Sequence, residues 1–540
     1  MMVAGYLRRA WGYRSDPQQR IRLLQPILEA RYRHHNIETR YSVVPSPKAA
    51  PPLRSLIVTA GALLLLTALA ILIQGYHPGL EDDAFYLAAI KKDLNPSLFP
   101  HDADFFQLQF QATIFDKLIA FSLRSTHLPL EWGIFLWQAI VTFLILWGCL
   151  RISRRCFCDP PSQWAAVTLV AVLLTLPVSG TGLTLTDQHL HARSFATAAI
   201  LAAVVAAIDQ RRALAVVFLA AAFSVHAIMA TLGAVFCLFL MAKRQPHAAQ
   251  RHEPALAAAA LLPLGWIFDS TSDAWRAAAA TRSFYFVLRW HWYELLGVIA
   301  PFALLWWFRY LAQRRQQMVL ATLAERLTYF GLFQLVMALM FTVPDKFERF
   351  RPFEPMRFLH LIYLLMVLIA GGMVGQFLLK RHPMRWLVLF VPLSCGMFYA
   401  QRQMYPAVAH LELPGIPSRN GWVEAFHWIS KNTPVDSLFA LDPHYLELPD
   451  ENYHGFRALA ERSVLTDAVK DAGMAARVPR LAPRWQREVD AQRGWRDFKR
   501  PDFLRLKADF GVDWVVLAAP GVDGLPCPHQ NSQVMVCRVE

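Results

Sequence analysis

The run Gly79-Leu80-Glu81-Asp82-Asp83-Ala84-Phe85-Tyr86 sets three carboxylates side by side. Carboxylates in such a group do one of three things. They take a proton from a reacting hydroxyl, they hold a hard cation such as Mg or Mn, or they start a helix whose dipole favours acids in its first turn. Asp82 and Asp83 are the candidates for chemistry, Asp82 as base and Asp83 as orienting or cation-binding partner. A second polar cluster runs Asp187-Gln188-His189-Leu190-His191-Ala192-Arg193. Asp187 and His189 offer ligands to a divalent cation shared with Asp83, and the plainer reading is a solvated turn. Arg193, Arg289 and Arg357 carry guanidinium groups, which grip phosphate with paired hydrogen bonds. For Arg357, at the edge of an apolar block, the plainer reading is a side chain snorkelling to lipid headgroups. His226 is a substrate contact or a packing histidine.

These residues are positioned by long apolar blocks. Of the 540 residues 55% are hydrophobic and 17% charged, and the apolar ones gather in stretches such as 55–73, 132–150, 165–178 and 358–379. That pattern predicts a polytopic α-helical membrane protein. The formal charge of +14 does not indicate nucleic acid, because Lys and Arg sit mainly at the ends of the apolar blocks, as in cytoplasmic loops. Residues 1–54 read as a basic cytoplasmic tail and 55–73 as a retained first span, which puts the acidic run outside. Further spans are predicted at 132–150, 164–178, 194–208, 253–268, 295–308, 327–343, 358–379 and 386–399. The block 213–241 has basic residues at both ends and is too long for one span and short for two. It predicts a hairpin of two short helices turning at Ser224-Val225-His226. The count is about eleven membrane helices.

The outer loop 74–131 predicts a short helix at 83–93 and an amphipathic one at 103–124, with Phe106, Phe110, Ile114 and Leu118 on one face. The outer segment 269–293 carries Trp275, Trp290 and Trp292, which suit an interfacial belt. After residue 400 the character changes. An amphipathic helix at 421–431 is followed by strand-like runs at 437–441, 463–465, 513–517 and 534–539, separated by charged helical sequence. Residues 401–540 therefore read as a small extracytoplasmic α/β domain beside the transmembrane domain 55–400. Cys527 and Cys537 both fall in it, where an oxidising compartment predicts a disulfide.

A cytoplasmic tail, one span, then an outer loop that opens on paired acids and carries lateral helices resembles the GT-C class of integral-membrane glycosyltransferases. Asp82-Asp83-Ala84-Phe85-Tyr86 matches that class's pattern of two acids, two residues and often Tyr. The paired short helices at 213–241, the outer Pro355-Met356-Arg357-Phe358 at the start of a late span, and a C-terminal outer α/β domain agree with it. The chain is similar to divergent bacterial members of the group. Nothing in it reads as sequon recognition, so the oligosaccharyltransferase branch is not assigned. The resemblance implies a polyprenyl-phosphate sugar as donor, a bacterial inner membrane with the site on its outer face, Asp82 as general base and Arg357 as the group that meets the lipid phosphate. Arg193 and Arg289 are further candidates for the phosphate, and a Mg or Mn ion is possible at Asp83, Asp187 and His189. Two other readings remain open at this stage. One is a transporter or flippase of lipid-linked saccharide, although no mirrored halves are visible. The other is a membrane scaffold that keeps the fold without catalysis.

Overall fold

The computed structural model describes residues 53–111, 113–242, 271–448 and 453–540. The basic tail, apart from its last two residues, and the predicted span 253–268 lie outside the described residues. Packing divides the chain into Met1–Gly61 and Ala62–Glu540. Of the first unit, the start of the Leu53–Gln74 helix is described. The second unit holds both the apolar helices and the C-terminal α/β region.

Among the described residues six helices are long and apolar enough to cross a membrane: Arg54–Gln74, Leu130–Cys156, Trp292–Arg314, Met318–Thr342, Pro355–Leu379 and Pro383–Met404. Three shorter apolar helices accompany them, Ala192–Ile208, Arg212–Val225 and Ala227–Met241. The last two are the predicted hairpin, which turns at His226. The helix Phe358–Val374 lies at the centre, with Phe358, Leu359, Ile362, Leu364 and Leu365 fully buried. The Pro160–Val172 helix packs against it at very close range. A Cβ on Gly371 would fall 2.8 Å from the Ala165 carbonyl oxygen, so only a glycine lets the two backbones meet. That contact fixes the helix whose N-terminal end carries Arg357.

Three sequence expectations change in detail. The apolar run 164–178 is not one span: its helix ends at Val172, and Pro177–Val178 (β1) pairs antiparallel with Leu183–Thr184 (β2). The segment 103–124 is two helices, Asp104–Phe110 and Phe115–Thr126. Between them the Ile114 N–H donates to the Ser224 carbonyl at 2.9 Å, a tertiary bond that draws the chain off its helical path. The break shifts the phase, so Phe115, Ile119 and Leu123 are buried while Ile114 is exposed. Trp275 and Trp290 are buried rather than belted at an interface, and Trp275 Nε1 donates to the Ala476 carbonyl at 2.8 Å. Trp292 remains exposed.

The C-terminal region forms a five-stranded sheet from Leu438–Ala440 (β3), Ser463–Val464 (β4), Trp514–Ala518 (β5), His529–Gln530 (β6) and Val534–Arg538 (β7). Its order is β4-β3-β5-β7-β6. β3 runs parallel to β4 and β5, and β7 runs antiparallel to β5 and β6. All four predicted strands are in it. Cys527 and Cys537 are joined by a disulfide. Between β4 and β5 the chain makes the helix Lys470–Arg477, which faces the acidic run.

Candidate active site

The acidic run is held by its neighbours from the C-terminal region. Tyr76 bridges to Leu411 and Leu80 to His454, and the Glu81 N–H donates to the Tyr453 carbonyl at 3.0 Å. Gly455 packs on the first turn of the Asp83–Leu94 helix, where a Cβ would lie 2.2 Å from that of Ala84. Glu81 takes a left-handed backbone with φ of 52°, a conformation a non-glycine residue keeps only when its surroundings impose it. Glu354, across the site, does the same at 51°. The turn separates the two aspartates. Asp83 is buried, and its Oδ2 accepts the Gly79 N–H at 2.6 Å. Burial pushes its carboxyl up to about 6, against the pull of His189, the Gly79 N–H and Lys91. Asp82 and Glu81 face the other way, into a cavity of about 250 Å³.

The walls of that cavity come from distant parts of the chain. The Asp82 side chain keeps 44% exposure because it opens on the cavity. Lys470 reaches across from the C-terminal region and places its Nζ 3.0 Å from Asp82 Oδ1 and 2.6 Å from Glu81 Oε2. His191 Nε2 lies 3.7 Å from Asp82 Oδ2, and its Nδ1 accepts the Arg193 N–H at 2.8 Å. A neutral His191 therefore carries its proton on Nε2, on the side of Asp82. Enclosure works to raise the Asp82 carboxyl, but Lys470 and His191 outweigh it and hold the group well below the usual range. Asp82 is an ionised acceptor at neutral pH.

The other walls are rich in guanidinium. Arg357 Nε donates to Glu354 Oε2 at 2.5 Å, and Arg477 Nη2 to Glu354 Oε1 at 2.8 Å. Burial opposes ionisation of Glu354, and the two arginines overcome it and keep it below the usual carboxylate range. Arg193 pairs with Asp187 through Nη2, yet its Nε and Nη1 are buried without a hydrogen-bond partner. Arg282 donates through Nη2 to the Lys470 carbonyl at 3.3 Å, and its Nε is also buried without one. Buried donors of this kind are costly unless a ligand meets them. The cavity wall thus carries the cations Arg193, Arg282, Arg357, Lys470 and Arg477 beside the carboxylates Glu81, Asp82, Asp187 and Glu354.

Among the residues singled out from the sequence, Asp82, Asp187, His189, Arg193 and Arg357 line the cavity. Asp83, His226 and Arg289 are not on its wall. His226 caps the Ala227–Met241 helix, with its ring centroid 6.5 Å from that of His191, behind the wall. Arg289 is exposed and lies over the Phe286 ring at 4.4 Å. Sequence reasoning missed Lys470, Arg477, Arg282 and Glu354. Lys470 and Arg477 are seven apart with Gly473 and Met474 between them, a spacing that puts all four on one helix face, and that face lines the cavity. Of the residues expected to hold Mg or Mn, Asp83 accepts the Gly79 N–H through Oδ2 and Asp187 pairs with Arg193 through Oδ1, while Asp187 Oδ2 and His189 Nε2 are buried without a hydrogen-bond partner. Among the described residues no group of three or more His, Cys, Asp or Glu is placed to hold a metal.

No family model matches the sequence, and no curated protein matches it. Solved structures do. The archaeal oligosaccharyltransferase AglB from Archaeoglobus fulgidus, in complex with an inhibitory peptide and a dolichol-phosphate, is similar over 85% of this chain and 69% of its own, at 12% identity and a TM-score of 0.45. The apo form of the Archaeoglobus fulgidus oligosaccharyltransferase gives 11% identity, the same coverage and a TM-score of 0.42.

Proposed function

We propose that this chain transfers a sugar from a polyprenyl-phosphate donor to an acceptor hydroxyl at the outer face of a bacterial inner membrane, with its N-terminus in the cytoplasm and about eleven membrane helices. One observation carries the reading: an ionised Asp82 and the guanidinium groups of Arg357, Arg477, Arg193 and Arg282 open on the same cavity. The acceptor hydroxyl attacks the anomeric carbon of the sugar. A new carbon–oxygen bond forms there as the bond to the lipid phosphate breaks. The hydroxyl proton passes to Asp82, which must lie within hydrogen-bond reach of it. The departing lipid phosphate gains charge, and Arg357 and Arg477, already oriented by Glu354, stabilise it in place. The unpartnered donors of Arg193 and Arg282 complete the anion site. Asp83 supports the reaction by holding the turn that aims Asp82.

The test is the surface glycan or glycolipid profile of cells in which the gene is deleted and replaced by variants. Asn keeps the size of Asp but takes up no proton. Asp82→Asn should lower transfer by about 10²–10⁴-fold at normal protein level. A normal profile in Asp82→Asn refutes the base assignment. A normal profile with Asp82→Asn and Arg357→Ala combined refutes transfer at this site and favours a scaffold.

A further inference from the structure

The carboxylates that suggested a divalent cation already have one of their own. Lys470 Nζ stands between Glu81 Oε2 and Asp82 Oδ1, at 2.6 and 3.0 Å. Its side chain is only 7% exposed, so the stem is sealed in the wall and the ammonium alone reaches the carboxylates. The backbone beneath it is fixed from three sides. The Lys470 N–H donates to Asp467 Oδ1, and its carbonyl accepts from Arg282. The next residue, Asp471, takes both Nη1 and Nη2 of the buried Arg457 at 2.9 and 3.0 Å. Arg457 in turn donates through Nε to Asp102 at 2.5 Å, which ties this helix to the outer loop. A divalent ion entering between Glu81 and Asp82 would strand the ammonium, buried and unpaired, beside a second positive charge. The neighbouring carboxylate Asp187 gives one oxygen, Oδ1, to Arg193, and its Oδ2 is buried without a hydrogen-bond partner.

We infer that Lys470 is the resident cation of this site, standing where a divalent metal would bind and making the site metal-independent. The inference deepens the reading of the cavity as a transfer site by naming its cation, and it is tested with metal alone, whether or not transfer is observed. The full chain is purified in detergent or lipid discs, stripped with chelator and titrated with Mn²⁺, with binding read by electron paramagnetic resonance. Wild type should show no stoichiometric Mn²⁺ site at millimolar metal. Lys470→Met frees the two carboxylates and should bind Mn²⁺ at least about tenfold more tightly than wild type. That gain should vanish in Lys470→Met with Asp82→Asn, and Lys470→Arg should stay metal-free. A wild-type Mn²⁺ site that Asp82→Asn removes overturns the inference, and this arm needs no Lys470 variant to fold. A folded Lys470→Met that gains no Mn²⁺ overturns it as well, because Lys470 then does not occupy a metal's place.

Discussion

For Asp82 as the proposed base, the ordinary requirement of a pKa near the working pH is set against the ammonium of Lys470. The cation keeps the carboxylate ionised and so available, and in the same act weakens it as a base. The proposed anionic donor would relieve this conflict by drawing positive charge away from Asp82 on entering the cavity. Removing Lys470 should therefore move the acid limb of the pH–rate profile in a defined direction. The cation lowers the Asp82 pKa, so Lys470→Met raises it, and the limb shifts to higher pH. Transfer rates measured across pH in wild type and Lys470→Met check this. A limb that stays in place would mean that Lys470 does not govern the reacting carboxylate. Arg357 and Arg477 differ from Lys470 in kind, since a planar guanidinium presents paired donors to a phosphate while an ammonium is a point charge.

Among the elements, the turn carrying Glu81 and Asp82 is clamped by a buried His–Glu–His cluster. His77 Nδ1 is 2.9 Å from Glu412 Oε2, and His454 Nε2 is 3.4 Å from Glu412 Oε1. Burial lowers the His77 pKa from its usual 6.5, with Glu412 opposing. Burial works to raise Glu412, but its bonds to His454 and His77 prevail and bring it down to about 2 from its usual 4.5. Both folded-state values are depressed, so both groups stabilise the fold above their usual values, and both contributions fade as pH falls. Thermal stability should drop below pH 6.5, and in His77→Gln the drop between 6.5 and 4.5 should be shallower. An unchanged slope would place the acid sensitivity elsewhere. The elements legible in the sequence were those set by local pattern. The acidic helix start, the short hairpin at His226 and the four strands follow from periodicity and from charges at block ends. The helix 103–124 was misjudged because its break is imposed by Ser224, a hundred residues away in the chain. Lys470 and Arg477 were missed for the same reason: nothing near them in sequence shows that their helix docks on the turn at Asp82.

As a whole, the molecule builds its cavity from both of its regions. The starts of the Asp83–Leu94, Ala192–Ile208 and Pro355–Leu379 helices supply Asp82, Arg193 and Arg357, and the C-terminal region supplies Lys470 and Arg477. The C-terminal region is therefore part of the site rather than an appendage, and its disulfide suits an oxidising compartment. The central claim is that this shared cavity receives a lipid phosphate. Its most direct measurement is the affinity of the purified full chain for a polyprenyl phosphate, read by native mass spectrometry, in wild type, Arg357→Ala and Arg289→Ala. Losing charge-assisted bonds to a phosphate should weaken binding about tenfold or more in Arg357→Ala. Arg289, off the cavity wall, should be replaceable without effect. Equal affinity in wild type and Arg357→Ala, or a loss confined to Arg289→Ala, would contradict the account.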